Sequence, residues 1–117
     1  MAKSTGLGLM DASMIFENLK PDMLVVIGDR FEMMSVTLAA AYMNIMIVHT
    51  MGGEVTGTID ESIRHAITKF SHIHFPANED SKQRIIRMGE DSSFVYNVGC
   101  PRIDLVADEL KKDSYHA

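Results

Sequence analysis

Asp29 and Arg30 follow an apolar run, Leu24–Ile27, that stops at Gly28. A carboxylate held at the end of a buried strand can have its pKa raised by burial and serve as a general acid or base. The neighbouring guanidinium can clamp a phosphate or carboxylate through two parallel hydrogen bonds. A plainer reading has Asp29 capping the next helix and Arg30 forming a surface ion pair. Farther along, Glu61, Arg64 and His65 have helical spacing with Asp60 beside them, so they can share one face. Such a cluster can orient a substrate and move a proton, or it can be an ordinary acidic helix start with i,i+3 pairing. Gly52-Gly53-Glu54 follows another apolar run that ends in His49. Its amides could cradle a sugar or phosphate while Glu54 accepts hydroxyl hydrogen bonds; a turn alone would use the same glycines. The glycine spacing fits neither a Walker loop nor the dinucleotide fingerprint. His72 and His74 share a strand face, yet no third metal ligand accompanies them, and packing explains them as well. Cys100 lacks an evident activating base and reads as structural.

These side chains need a scaffold that brings strand ends together. Residues 9–19 carry apolar side chains at helical spacing, and Pro21 ends that helix. Leu24–Ile27 lacks polar alternation, as a strand covered on both faces does. A helix follows from about Phe31 to Tyr42, with Ala39, Ala40 and Ala41 permitting close approach to a sheet. The pattern then predicts a strand at 45–49, a polar glycine loop, a helix at 60–70, a strand at 72–77, and a helix from Glu79 to Met88. Asn78 should cap that last helix and Gly89 should stop it. A fourth strand is predicted at 93–98, then a turn at Gly99-Cys100-Pro101 and a helix through Leu110. Glycine-bearing Ser4–Gly8 follows no strand, so it makes a poor phosphate loop. Strand alternating with helix predicts an α/β fold with a mostly parallel, three-layer, Rossmann-like sheet, whose ligands bind beyond the carboxyl ends of the strands.

At 117 residues the chain suits one compact domain. Its formal charge of −5 gives no reason to expect nucleic acid or an anionic membrane as partner. No segment has the roughly 20 apolar residues needed to span a bilayer. One cysteine excludes an internal disulfide and a thiolate metal cluster, which fits a reducing, cytoplasmic setting. The ten methionines read as adaptable core filling. A small sheet with unmet apolar edges should self-associate or dissolve poorly.

Gly28-Asp29-Arg30-Phe31-Glu32, His49 through Gly57, Ile59 through Lys69, Ser71-His72-Ile73-His74-Phe75 and Val98-Gly99-Cys100-Pro101 together resemble the hydrolysing UDP-N-acetylglucosamine 2-epimerases of sialic-acid synthesis. The resemblance covers nearly the whole chain. It implies a GT-B-like protein of two Rossmann-like domains with a nucleotide-sugar cleft between them. Residues 1–117 correspond to part of the first domain, and the second domain, which holds most uridine-nucleotide contacts, is expected to be missing. By the same resemblance, Asp29 and Glu61 are the catalytic carboxylates, and Arg64 accompanies Glu61. Arg30 would lie near the diphosphate, and His49, Gly52, Gly53 and Glu54 beside the sugar. The pattern has a carboxylate just before the glycine pair, where this chain has Met51, and a thioether cannot take a proton. The implied reaction expels UDP through an unsaturated glycal and adds water to give N-acetylmannosamine, with no metal or redox cofactor. The partners expected are UDP-N-acetylglucosamine or a related nucleotide sugar, and either a second copy or the missing domain. The isolated chain is expected to be inactive, and the alternative is a non-catalytic domain that packs or binds sugar only.

Overall fold

A computed structural model describes residues 2–28 and 30–99 of the protein. The order of elements is α1 (Ala2–Leu19), β1 (Met23–Ile27), α2 (Phe31–Tyr42), β2 (Met46–Thr50), α3 (Ile59–Phe70), β3 (Ile73–Phe75) and α4 (Glu79–Arg87). The strands form one parallel sheet in the order β1-β2-β3. Ile27, Thr50 and Phe75 lie side by side at its carboxyl end, which sets the level at which the polar loops begin. The expected turn at Cys100-Pro101, the helix through Leu110 and Asp29 itself lie outside the described residues.

Register explains the core. Leu24, Val26 and Ile47 share a sheet face and cluster with Ala12 and Phe16 of α1, Ala39 and Ala40 of α2, and Ile67 of α3. Small alanines in α2 let the helix lie close to β1 and β2, so the alanine run serves packing as well as propensity. On the opposite face, Met23, Val25, Ile27 and Met46 remain exposed. β1 is therefore an edge strand with an apolar outer face and no charged residue along it, a combination that invites pairing with another chain.

Two expectations need correction. α1 starts at Ala2 and runs straight through Gly6 and Gly8. The reason is tertiary: a Cβ at Gly8 would lie 2.9 Å from Ser35 Oγ, and that hydroxyl donates to the Thr5 carbonyl at 2.9 Å. Close helix contact outweighs the poor helix propensity of glycine. The predicted fourth strand, 93–98, is instead a 3-10 turn at Ser92–Phe94 followed by a single parallel bridge from Val95 to His74. Asp91 accepts from the Ser93 amide at 2.9 Å, and this local turn captures a donor that a ladder would need. Beyond it the Tyr96 amide reaches the sheet, at the His74 carbonyl. The other elements lie within a residue or two of their expected bounds, and Asn78 caps α4 by accepting from the Ser81 amide at 2.8 Å.

The two sheet faces should respond differently to substitution. Ile47→Ala, at a fully buried position, should lower unfolding free energy by about 2–5 kcal/mol. Val25→Thr, on the exposed face, should change it by no more than about 0.5 kcal/mol. Denaturant titration of both variants checks this, and equal losses would refute the assigned register.

Candidate functional site

His49 is the hub. It is the fourth residue of β2, 1% exposed, and faces the same side as Val26 and His74. Its Nε2 lies 2.9 Å from the Gly28 carbonyl, and its Nδ1 lies 3.2 Å from Thr68 Oγ1 on α3. A carbonyl only accepts, so Nε2 carries the proton and Nδ1 of the neutral ring is an acceptor. The Thr68 hydroxyl is also 3.1 Å from the Arg64 carbonyl, one helical turn back. This network ties Gly28 at the end of β1, His49 near the end of β2 and the middle of α3 together.

The glycine loop is held from both sides. A Cβ at Gly52 would come within 2.9 Å of the His49 ring and 3.1 Å of Thr68 Oγ1, so only glycine fits behind the imidazole. Gly53 has φ +80 and rests against the Ser81 backbone and Ile85 of α4. Met51, just before them, takes a left-handed φ of 62, which is uncommon for a side chain of its size, and its amide donates to the Phe75 carbonyl. Two guanidiniums fix the carbonyls that follow: Arg84 Nη1 donates to Gly53, and Arg64 Nη1 donates to Glu54 at 2.7 Å. Arg64 is 5% exposed. The bond to the Glu54 carbonyl shapes the loop directly. Glu54 lines an open polar cleft of about 350 Å³ with Val55, Asn78, Asp80, Ser81 and Arg84.

Glu61 occupies the first turn of α3, where a carboxylate complements the helix dipole. It accepts from the Gly57 amide at 3.1 Å and lies 3.6 Å from His65 Nε2. The acidic helix start of the plainer reading is present, with the pairing at i,i+4 to His65 where i,i+3 is expected. It places a half-buried carboxylate on the rim of the same loop. Arg30 stands apart: its side chain is 78% exposed and pairs with Glu32 at 3.4 Å. It is also the N-cap of α2, without a side-chain capping bond. Asp29 lies between Gly28 and Arg30 in sequence and outside the described residues.

His72 and His74 have separate tasks. His72 Nδ1 accepts from the Ile47 amide at 3.0 Å. Buried His74 bonds Glu90 at 3.1 Å, and Glu90 in turn pairs with Lys69 at 2.8 Å. Among the described residues no group of three or more His, Cys, Asp or Glu could hold a metal. Thr68 and Arg84 are the residues that sequence reasoning missed. Thr68 was within reach, one helical turn after Arg64; Arg84 left no comparable sign, because its partner is a backbone carbonyl thirty-one residues away. A further cleft of about 380 Å³, lined by Phe16, Glu17, Lys20, Pro21, Met43, Asn44 and Ile45, opens where β1 and β2 begin. It lies at the end of the sheet that α/β folds do not use for ligands.

Burial pushes the His74 pKa below its ordinary value of 6.5, against the opposing pull of the Glu90 carboxylate, with Lys69 and His72 adding to the lowering. A proton on the ring would also leave the buried Nδ1–H unsatisfied, since Nδ1 has no bond among the described residues. The unfolded chain therefore takes up this proton at a higher pH than the folded one. The stabilisation is complete above about pH 6.5 and is lost as pH falls through the folded value. Stability measured from pH 7 down to pH 5 should fall more steeply in the wild type than in His74→Gln. Parallel curves would show that His74 is not the group responsible.

Comparison with known proteins gives a consistent picture. The family described as UDP-N-acetylglucosamine 2-epimerase matches residues 1–117. A Legionella pneumophila protein named UDP-N,N'-diacetylbacillosamine 2-epimerase (hydrolyzing) is 49% identical over 89% of this chain and 28% of its own length. A Neisseria meningitidis UDP-N-acetylglucosamine 2-epimerase is 39% identical over 81% of this chain and 25% of its own. The crystal structure of a UDP-GlcNAc 2-epimerase from Neisseria meningitidis bound to UDP-GlcNAc superposes with TM-score 0.84 at 28% identity, covering 92% of this chain and 30% of that one. The chain thus spans a little over a quarter of the length of the curated relatives it matches.

Proposed function

The chain belongs to the UDP-N-acetylglucosamine 2-epimerase family, and from that premise we propose that it supplies one wall of a nucleotide-sugar site in a hydrolysing 2-epimerase. The observation that carries this reading is the His49 bond to the Gly28 carbonyl, which joins the two strand-end loops richest in polar side chains. The substrate class is a UDP-linked 2-acetamido sugar. The reaction removes the proton at C2, expels UDP to leave an unsaturated glycal, and returns water to C1 and a proton to C2. Asp29 and Glu61 are the proposed acid and base. Arg30, exposed and, among the described residues, paired through its side chain with neighbouring Glu32, can swing towards a diphosphate. Arg64 acts through the loop it braces, keeping Gly52, Gly53 and Glu54 beside the sugar, with His49 behind them.

Length argues that this wall works with a second domain. Relatives of the same family are several times longer, so turnover is proposed for the assembled protein and little or none for residues 1–117 alone. Its place is proposed to be the cytoplasm, where nucleotide sugars are handled, and formation of N-acetylmannosamine would feed sialic-acid synthesis. A second substrate is favoured by a specific observation: the relative at 49% identity is named for UDP-N,N'-diacetylbacillosamine, whereas the one named for UDP-N-acetylglucosamine is at 39%.

A segment exchange tests the proposal. Residues 2–117 replace the corresponding stretch of the Legionella pneumophila relative, and both UDP-sugars are offered. The expected result is release of UDP together with a free 2-epimerised sugar. A chimera that melts like its parent yet releases neither product would refute the proposal. UDP release with sugar transferred to an acceptor would point to a glycosyltransferase.

A further inference from the structure

Thr68 is fully buried in α3, and its hydroxyl stands between the His49 ring and the Arg64 carbonyl. We propose that Thr68 is a positioning residue: by holding the His49 imidazole in its Nε2–H form, it fixes the Gly28 carbonyl and with it the turn at Gly28, just beyond β1. The inference rests on the proposed function only in treating that turn as part of an epimerase site.

The argument starts from Gly28. Its φ is +70, a left-handed conformation, and among the described residues other than its chain neighbours no atom stands within 4 Å of where its Cβ would be. Packing among the described residues therefore does not hold this residue in place. Both ends of it are tied to β2 instead: the Gly28 amide donates to the Thr50 carbonyl at 3.1 Å, and the Gly28 carbonyl accepts from His49 Nε2 at 2.9 Å. The second bond belongs to the peptide that leads into residue 29. It exists only while Nε2 carries the proton, and an imidazole chooses its tautomer by what its other nitrogen meets. Nδ1 meets the Thr68 hydroxyl at 3.2 Å.

The hydroxyl suits this task because it has one proton and two acceptors within reach, Nδ1 and the Arg64 carbonyl at 3.1 Å. It donates to Nδ1 of the neutral ring, which keeps the ring proton on Nε2. Rotation about Cβ–Oγ lets it turn to the Arg64 carbonyl without moving the backbone. Space also enforces the ring orientation. Gly52 leaves no room for even a methyl group beside the ring, so the imidazole is sandwiched between the loop and Thr68. A valine at 68 would keep the shape and remove the hydrogen bond.

The test is made on the 117-residue chain with nitrogen-15-labelled histidine and amide hydrogen exchange. Wild type should show His49 in the Nε2–H form. Thr68→Val should weaken that tautomer preference and exchange the Gly28 amide about five- to tenfold faster, the worth of one neutral hydrogen bond. The Met43 amide, at the far end of α2, should be unchanged. Thr68→Ser should restore both readings, which a purely space-filling role would not do. Should the valine variant fail to fold, Gly52→Ala decides. Its Cβ must displace the His49 ring and should speed Gly28 exchange in the same way. Unchanged Gly28 exchange in a folded Thr68→Val or Gly52→Ala, or an Nδ1–H ring in wild type, would overturn the proposal. Failure of the segment exchange to give turnover would remove the epimerase reading and leave this readout intact, because it needs no substrate.

Discussion

A single imidazole, that of His49, holds the working end of this fold together. A parallel sheet aligns its strands but leaves the loops at their carboxyl ends to find their own contacts. Here β1 and β2 are joined beyond their last ladder bonds by a side chain from one to a carbonyl of the other, at 2.9 Å in a site shielded from water. Burial strengthens that bond electrostatically and makes its loss costly. The glycine at 52, the hydroxyl at 68 and the backbone at 28 are each fitted to the ring, so the three loops and helices that meet there have little freedom to drift apart.

The rest of the polar apparatus extends this brace. Arg64 reaches from α3 and Arg84 from α4 to successive carbonyls of the loop after β2. A buried guanidinium spent on a backbone carbonyl contributes shape, and the loop can then present its remaining groups in one orientation. Glu61 adds a third tether through the Gly57 amide. The loop from 51 to 58 has no regular structure of its own, yet the sheet and both following helices grip it. Such a braced loop suits a family whose members hold sugars. The bare outer face of β1, with Val25 and Ile27 exposed, fits a sheet that continues into other strands or meets another surface.

Much of this was legible in the sequence for physical reasons. Unbroken apolar runs before Gly28 and His49 gave β1 and β2, although β1 is covered on one face only, with Met23, Val25 and Ile27 exposed on the other, where the sequence predicts cover on both. Amphipathic spacing gave α3 and α4, and Asn78 gave a cap. Failures occurred where tertiary contacts outvote local signals. Gly6 and Gly8 look like a loop, but close packing on Ser35 makes Gly8 an asset to α1. Phe94-Val95-Tyr96 looks like a strand, but the Asp91 side chain starts a turn that leaves one bridge. The site was legible in its residue types more than in their tasks. The bond from Arg64 to the Glu54 carbonyl has no sign in its spacing. Thr68 is an unremarkable helical threonine until the imidazole across from it is seen.

The account comes to a point at Asp29 and Glu61, the two carboxylates proposed for proton transfer. The most direct measurement is kcat for UDP release by the segment-exchanged enzyme carrying Asp29→Asn or Glu61→Gln. Each substitution removes a proton-transfer group while keeping size, so each should lower kcat by about 10²–10⁴-fold. Turnover by both variants at the rate of the unsubstituted chimera would contradict the account.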